Sequence, residues 1–400
     1  MDRIMDKVSL NIVLAFHSYT KYPCFDGLVS VIMAANFYKN NNIFYIPYWR
    51  TNESFQKIKK AVMLLGTKNT MIIYMDCSPE LTEEVDFLSS ILHKTRVLVI
   101  DHHSVSKSSK MNVLQEFSNF TYVFDQNRCS SIISYDLFKF KEEADSSMKN
   151  LLSFVQFTDY DGQNVDIAGK SLAYSLAQKT IQKTVLNFPY LKHNVEKITS
   201  AKMELYYLLR YITPSSNDWE FLYSEEPYKM EVFNEKCNSY LSYCFSILSG
   251  NNDKIYCEEF INNFIELTDK LVLTLNNANT KNVEVVGGIN SRILIVYLDI
   301  SKFGRNLEPL TRDAMIKTGS NFAIIINPPT HLKDGTLMYY LSLRRVNESF
   351  DARDLAELLK SKCGSNIGGG HPWASGVTFN QEQYDCFKDI FLTEINEALA

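Results

Sequence analysis

Asp101, His102 and His103 follow directly on the apolar run Val97–Ile100, so one carboxylate and two imidazoles stand at the end of what reads as a short buried strand. These are the side chains that hold divalent transition metals, and in an open α/β sheet ligands bind beyond the carboxyl ends of the strands. The tripeptide is a candidate metal or phosphate site; the blander reading is a helix start capped by Ser104 or Ser106, its histidines facing solvent. Comparable residues recur upstream and downstream. One apolar run ends in Phe16-His17, and after a polar loop Cys24-Phe25-Asp26-Gly27 opens a helix. Another run ends in Met75-Asp76-Cys77-Ser78-Pro79, and a later helical segment carries Phe157-Thr158-Asp159-Tyr160-Asp161-Gly162. Singly, each has an ordinary explanation: Asp76 as a helix cap, Asp159 and Asp161 as a turn before Gly162. Their recurrence at equivalent strand ends does not, because a parallel sheet would bring them to one crevice.

The elements that must position these residues alternate between strand-like and helix-like. Strands are predicted at Leu10–Phe16, Asn42–Pro47, Met71–Met75, Val97–Ile100 and Thr121–Phe124. Amphipathic stretches lie between them at Leu28–Tyr38, Ser54–Leu65, Glu83–Leu92 and Ser130–Phe138. Such alternation predicts an α/β fold with a doubly wound, mainly parallel sheet over residues 1–165. Residues 166–280 lack strand patterns and read as a helical connector, broken at Pro214-Ser215-Ser216-Asn217. Strand-like runs return at Val283–Val286, Ile293–Tyr297, Phe322–Ile326 and Met338–Leu343, which predicts a second, smaller α/β domain over residues 281–400.

Composition narrows the function classes. Hydrophobic residues make up 46% of the 400-residue chain, enough for more than one core, and the net charge of −5 excludes a broadly basic, nucleic-acid-coating protein while leaving room for a local basic groove. No apolar run reaches 18 residues, so no transmembrane helix and no membrane partner is expected. The first residues, Met1-Asp2-Arg3-Ile4-Met5-Asp6-Lys7, do not read as a signal peptide. The 8 cysteines, at 24, 77, 129, 237, 244, 257, 363 and 386, contain no CxxC pair, which suits reduced thiols in a cytoplasmic setting better than a disulfide framework or zinc ribbon.

A second group of residues stands near the end of the chain. Gly368-Gly369-Gly370-His371-Pro372-Trp373 reads as a loop whose backbone amides could cradle an anion, with His371 able to donate to a phosphate or carboxylate. Leu341-Ser342-Leu343-Arg344-Arg345 ends a strand in two guanidiniums, the preferred bidentate partners of phosphate. Trp373 reads as packing beneath the loop rather than stacking on a base.

Together these residues resemble the DHH phosphoesterase superfamily, in the branch with a DHH-associated Gly-Gly-Gly-His domain typical of nano-RNase and RecJ-like proteins. The order matches over nearly the whole chain: a His17…Asp26-Gly27 first motif, Asp76 at a strand end, Asp101-His102-His103, a further Asp, then Gly368 to Gly376. Ser130-Ser131 resembles the small-residue helix start that follows Asp-His-His in this group, and Asp351-Ala352-Arg353-Asp354 its acidic helix start before the glycines.

The resemblance implies a two-domain clamp binding one or two Mn²⁺ or Mg²⁺ ions and a short oligonucleotide or nucleotide. In it Asp76 bridges two metals, and Asp26, His102 and Asp159 or Asp161 complete one metal's donors. Asp159 is favoured because Phe157-Thr158-Asp159 resembles the Thr-Asp of many relatives. His17 and Cys24 occupy the other metal's positions, His103 faces the scissile phosphate, and Asp101 orients the histidines. Arg344, Gly368, Gly369, Gly370 and His371 grip the substrate.

The first motif departs from the usual pattern. Cys24 stands where most members have an Asp, and His17 lies nine residues before Asp26, farther than usual. A weakly held first metal, a softer metal and a single ion are all compatible with that change. The implied activity is hydrolysis of short oligonucleotides or dinucleotides to mononucleotides. Hydrolysis of cyclic dinucleotides or of 3′-phosphoadenosine phosphates uses the same chemistry and stays open, as does a catalytically degenerate member that binds nucleotide or protein. Homodimer formation is open as well.

Overall fold

The computed structural model describes residues 10–18, 23–49, 51–103, 110–138, 146–159, 230–248, 283–286, 293–297, 311, 315, 319–331, 335–345, 351–365, 368–370 and 374–390. The chain divides into two units, residues 1–180 with 208–255, and residues 181–207 with 256–400.

The first unit is built on β1 (Asn11–His17), β2 (Asn42–Tyr48), β3 (Thr70–Met75), β4 (Arg96–Asp101) and β5 (Phe120–Phe124). They form one sheet in the order β2-β1-β3-β4-β5, every neighbouring pair parallel. The five strands match the five predicted, within two residues at each end. Helices cover both faces, so the strands read as continuous apolar runs rather than alternating ones: Ile12 to Phe16 are fully buried without exception. One face packs against α2 (Asn52–Leu65), α3 (Thr82–Ile91) and a 3₁₀ turn over Lys110–Glu116, through Ile58, Val62, Val85, Leu88, Met111 and Leu114. Each such side chain withdrawn from water contributes about 1.5–3 kcal/mol.

The helix α1 (Phe25–Phe37) has no polar face to offer solvent over most of its length, and Phe25 to Ala35 are all buried. It is apolar all round because it lies between β1 on one side and α4 (Ser130–Phe138) and α5 (Ser146–Asp159) on the other. A Cβ on Gly27 would stand 2.6 Å from the His17 carbonyl oxygen. Glycine at this position is what lets the first turn of α1 approach the end of β1.

With this strand order the chain leaves β1 in opposite directions toward β2 and β3. The crevice beyond the carboxyl ends of β1 and β3 is therefore the topological switch point, where open α/β sheets bind ligands.

Most of the predicted connector, including the break at Pro214–Asn217, lies outside the described residues. Its described part is α6 (Met230–Leu248), which belongs to the first unit: Phe233 is buried and stacks on Tyr45 with ring centroids 3.7 Å apart. Among the described residues no helix is long and apolar enough to cross a membrane.

The second unit holds a mixed sheet of β6 (Val283–Val286), β7 (Ile293–Tyr297), β8 (Phe322–Ile326), β9 (Thr330–His331), β10 (Leu337–Arg345), β11 (Gly368–Gly370) and β12 (Ala374–Asn380). The order is β11-β12-β10-β8-β7-β6, with β9 against β10, and of these pairs β7–β8 alone is parallel. α7 (Ala352–Cys363) and α8 (Gln381–Ile390) cover one face through Leu355, Leu359 and Phe387, which meet Leu341, Leu343, Val377 and Phe379. The Asp351 carboxylate accepts from the Arg353 and Asp354 amides and caps α7, which accounts for the acidic helix start.

Candidate metal centre

His17 ends β1 and Cys24 precedes α1, with a loop between them long enough to carry His17 away from the other donors. The backbone cancels that length. Ser18 and Pro23 pair as an antiparallel bridge, and the Cys24 amide donates to the His17 carbonyl at 3.2 Å. Both ends of the loop are thereby pinned at the mouth of the crevice, and His17 Nδ1 lies 3.2 Å from Asp76 Oδ2. The imidazole also lies parallel to the Trp49 indole, 9° between planes and 5.8 Å between centroids.

Asp76 follows β3 with φ at +60°, a left-handed conformation that costs a non-glycine residue of order 1–3 kcal/mol. Its amide donates to the Ile100 carbonyl at 2.9 Å, which holds the turn against β4. The strained backbone places its carboxylate between three imidazoles. Oδ2 meets His17; Oδ1 lies 3.1 Å from His102 Nε2 and 3.7 Å from His103 Nδ1, and it accepts from the Ser130 hydroxyl at 3.4 Å.

Asp101, fully buried at the end of β4, accepts from the His102 and His103 amides at 2.9 and 3.1 Å and from His103 Nδ1 at 2.8 Å. Ser78 donates to its other oxygen at 2.5 Å. Sequence reasoning does not single out Ser78; the available signal is a polar residue two positions after a strand-end Asp. Asp26 accepts from the Ser130 and Ser131 amides at 2.7 and 2.8 Å, so its carboxylate answers the open N-terminus of α4. Gln156 of α5 accepts from the Cys129 amide and donates to the Asn127 carbonyl, which ties α5 to the start of α4 and brings Asp159 to the centre. Asp161 lies outside the described residues.

Three carboxylates converge on one nitrogen. His102 Nε2 stands 3.1 Å from Asp76, 3.2 Å from Asp159 and 3.7 Å from Asp26. An imidazole nitrogen carries one proton and cannot satisfy three acceptors, and Asp159 Oδ2 is buried with no hydrogen-bond partner among the described residues. Protonation equilibria reflect the crowding. Burial, with the charge of Asp76, raises Asp26 to about 7 against the pull of His102 and the Ser131 hydrogen bonds. Burial likewise holds Asp159 well above the usual range. Burial would also raise Asp76, but hydrogen bonds from His102 and His17 and the charges of His17 and His103 hold it well below. Desolvation would lower His102 as it does most buried histidines, but Asp159, Asp76 and Asp26 outweigh it and lift the ring to about 10. Burial and the charge on His102 depress His103.

A cluster that must borrow protons to neutralise itself is one that a divalent cation fits. Its donor atoms fall into three overlapping groups, each within 4.8 Å: His17, Cys24 and Asp76; Asp76, His102 and His103; Asp26, His102 and Asp159.

The residues singled out in the second unit behave differently. Gly368–Gly370 is not an open loop but the edge strand β11, paired with Ser375, Gly376 and Val377 of β12. A Cβ on Gly368 or Gly370 would stand 2.5 Å from the carbonyl oxygen of Gly376 or Ala374. Positive φ at all three positions, with close strand pairing at Gly368 and Gly370, accounts for glycine here. Arg344 in β10 donates from Nη1 to the Leu343 carbonyl at 2.9 Å, and its Nε is buried without a hydrogen-bond partner among the described residues. His371 and Trp373 lie outside the described residues.

No protein-family model and no curated protein matches the sequence. Among solved structures, a DHH-domain protein described as a member of a family of ribosomal proteins aligns with 96% of this chain and 87% of its own, at 14% identity and a TM-score of 0.55. An exopolyphosphatase-related protein from Bacteroides fragilis (13% identity; 98% of this chain, 94% of that one; TM-score 0.46) and exonuclease RecJ bound to manganese (10%; 95% and 88%; 0.46) are also similar. The first of the three exceeds 0.5 and speaks to the fold. With its β2-β1-β3-β4-β5 parallel sheet and Asp-His-His at the end of the fourth strand, the chain shares the fold of that DHH-domain protein.

Proposed function

We propose that the protein is a metal-dependent phosphoesterase that hydrolyses phosphodiester bonds of short oligonucleotides or dinucleotides to mononucleotides. The observation that carries this reading is the convergence of Asp26, Asp76 and Asp159 on His102 Nε2 inside a buried crevice at the switch point of the sheet. Asp26, Asp76, His102 and Asp159 would hold one divalent ion, Mn²⁺ or Mg²⁺, and His17, Cys24 and Asp76 a second. Such ions supply Lewis acidity toward the oxygens on phosphorus.

The chain's own residues supply the rest. With Asp101 ionised, His103 Nδ1 must donate to it, which fixes the tautomer and leaves Nε2 as the ring's acceptor toward a substrate proton. Its depressed pKa keeps that ring neutral near pH 7. Ser78 holds Asp101 in turn, so the orientation of His103 is fixed by two successive hydrogen bonds. Arg344, Gly368, Gly369, Gly370 and His371, in the segment 281–400, are assigned to binding the phosphate of the substrate. A guanidinium whose buried Nε has no partner among the described residues is the support for Arg344.

The test is hydrolysis of 5′-labelled RNA and DNA di- to pentanucleotides with Mn²⁺, beside the His102→Ala protein. Mn²⁺-dependent release of mononucleotides by the unaltered protein alone is the expected result. Equal turnover by His102→Ala, or none by either protein, overturns the reading.

A further inference from the structure

The two halves of the donor cluster are built from different chemistry. Asp76 divides its oxygens between them, Oδ2 toward His17 and Oδ1 toward His102. On the His102 side the remaining donors are carboxylates, Asp26 and Asp159, and the combined set of oxygens with one nitrogen is hard in character. On the His17 side the set is one nitrogen, one carboxylate oxygen and the sulfur of Cys24.

Cys24 occupies the N-cap position of α1, where Ser, Thr, Asp or Asn would ordinarily hydrogen-bond the first turn, yet its side chain makes no capping hydrogen bond. It is buried, with 8% of its surface exposed, and its sulfur lies among the donor atoms of His17 and Asp76. The backbone around it is fixed by the Cys24 amide on the His17 carbonyl and the Ser18–Pro23 bridge. A thiol held by backbone pairing among an imidazole and a carboxylate is arranged as a ligand.

We propose that the two positions select different ions, and that the His17–Cys24–Asp76 position takes a thiophilic divalent ion, Zn²⁺ or Co²⁺, beside Mn²⁺ or Mg²⁺ held by Asp26, Asp76, His102 and Asp159. Thiolate donors favour such ions over Mn²⁺ and Mg²⁺, whose preferred partners are carboxylate, carbonyl and water. On binding, the S–H bond breaks, its proton leaves to bulk water, and the sulfur lone pair goes to the metal. The proposal rests on the metal-dependent reading above and makes it specific: the protein would be a mixed-metal one, and Mn²⁺ alone would leave one position poorly filled.

Full-length protein stripped with a chelator is titrated with Co²⁺, Zn²⁺ and Mn²⁺, following near-ultraviolet absorption and counting bound ions by elemental analysis. The expected result is an intense thiolate-to-cobalt charge-transfer band that Zn²⁺ bleaches and Mn²⁺ does not. Cys24→Ser should abolish the band and weaken Zn²⁺ binding by about tenfold or more while leaving one Mn²⁺ bound. Cys129→Ser should keep it, since the Cys129 sulfur lies at 3.2 Å from the Ser131 hydroxyl instead of in the His17 set. Should Cys24→Ser fail to fold, Cys24→Asp reads the same point, with no band and tighter binding of a second Mn²⁺. Co²⁺ bound without a band, or a band that survives Cys24→Ser, overturns this proposal and leaves Mn²⁺-dependent hydrolysis standing. Failure to bind any divalent ion overturns both.

Discussion

The carboxyl end of the first sheet and the glycine strand of the second carry the same kind of sequence signal, a short motif beside an apolar run, and they are different objects. At the first, polar side chains are driven into a buried crevice and left with more acceptors than protons: three carboxylates face one imidazole nitrogen, and Asp76 sits in a strained backbone to do so. At the second, the side chains have been removed so that two backbones can approach. Chemistry concentrated against the grain of folding marks a site.

Asp76→Gly separates the two most sharply. Glycine accepts φ of +60° without strain, which offsets part of the loss of the carboxylate paired with His17 and His102, so the protein should still fold cooperatively while metal-dependent hydrolysis falls to background. Retained activity would remove Asp76 from the centre. Gly370→Ala is the opposite experiment. The added methyl meets backbone, so the second unit should lose about 4 kcal/mol in a denaturant titration while ion binding at the first is unchanged. Full stability in the Gly370→Ala protein would contradict the close-pairing account of this glycine.

Glu84 tests whether burial of a carboxylate alone makes a site. It is buried beneath the same sheet, where the Tyr48 and Tyr74 hydroxyls donate to it at 2.6 and 2.8 Å, and burial raises it from 4.5 to about 7. Because the folded pKa is the higher one, folded protein holds a proton that the unfolded chain has released between those values. Stability from this group is therefore intact below pH 4.5 and falls as pH rises, by about 3 kcal/mol once pH 7 is passed. Glu84→Gln should flatten that slope without altering the ion stoichiometry; an unchanged pH–stability curve would contradict the assignment. The smallest effect is expected at Asp351→Ala, about 1 kcal/mol from loss of the α7 cap with turnover unaffected. A loss of turnover at unchanged stability would mean that Asp351 touches substrate.

The strands of the first sheet are legible in the sequence because burial on both faces leaves an uninterrupted apolar run, and the residues at their ends can be named before any contact is known. The placement of His17 is not legible, since it depends on Ser18 pairing with Pro23 and the pairing of two backbones leaves little mark on side-chain pattern. β12 escapes because Ala374, Ser375 and Gly376 break its alternation, and β9 and β11 because two or three residues show no period. α8 is short and polar on its outer side, and its one start signal is the Asn380–Gln383 pair, whose side chains bond each other's amides as a capping box. Glu84 reads as an ordinary residue of a helix start; nothing local announces that two tyrosines from other strands will meet it.

Asp26 reaches the α4 amides from 104 positions away in the chain. The first turn of α4 therefore has its donors answered only after that long loop has closed, and closing it is among the slower and more entropically demanding events available to the chain. The affinity for cations and the docking of the first helix onto the fourth arrive in one step, so a newly made chain would not capture metal until its first unit was essentially assembled.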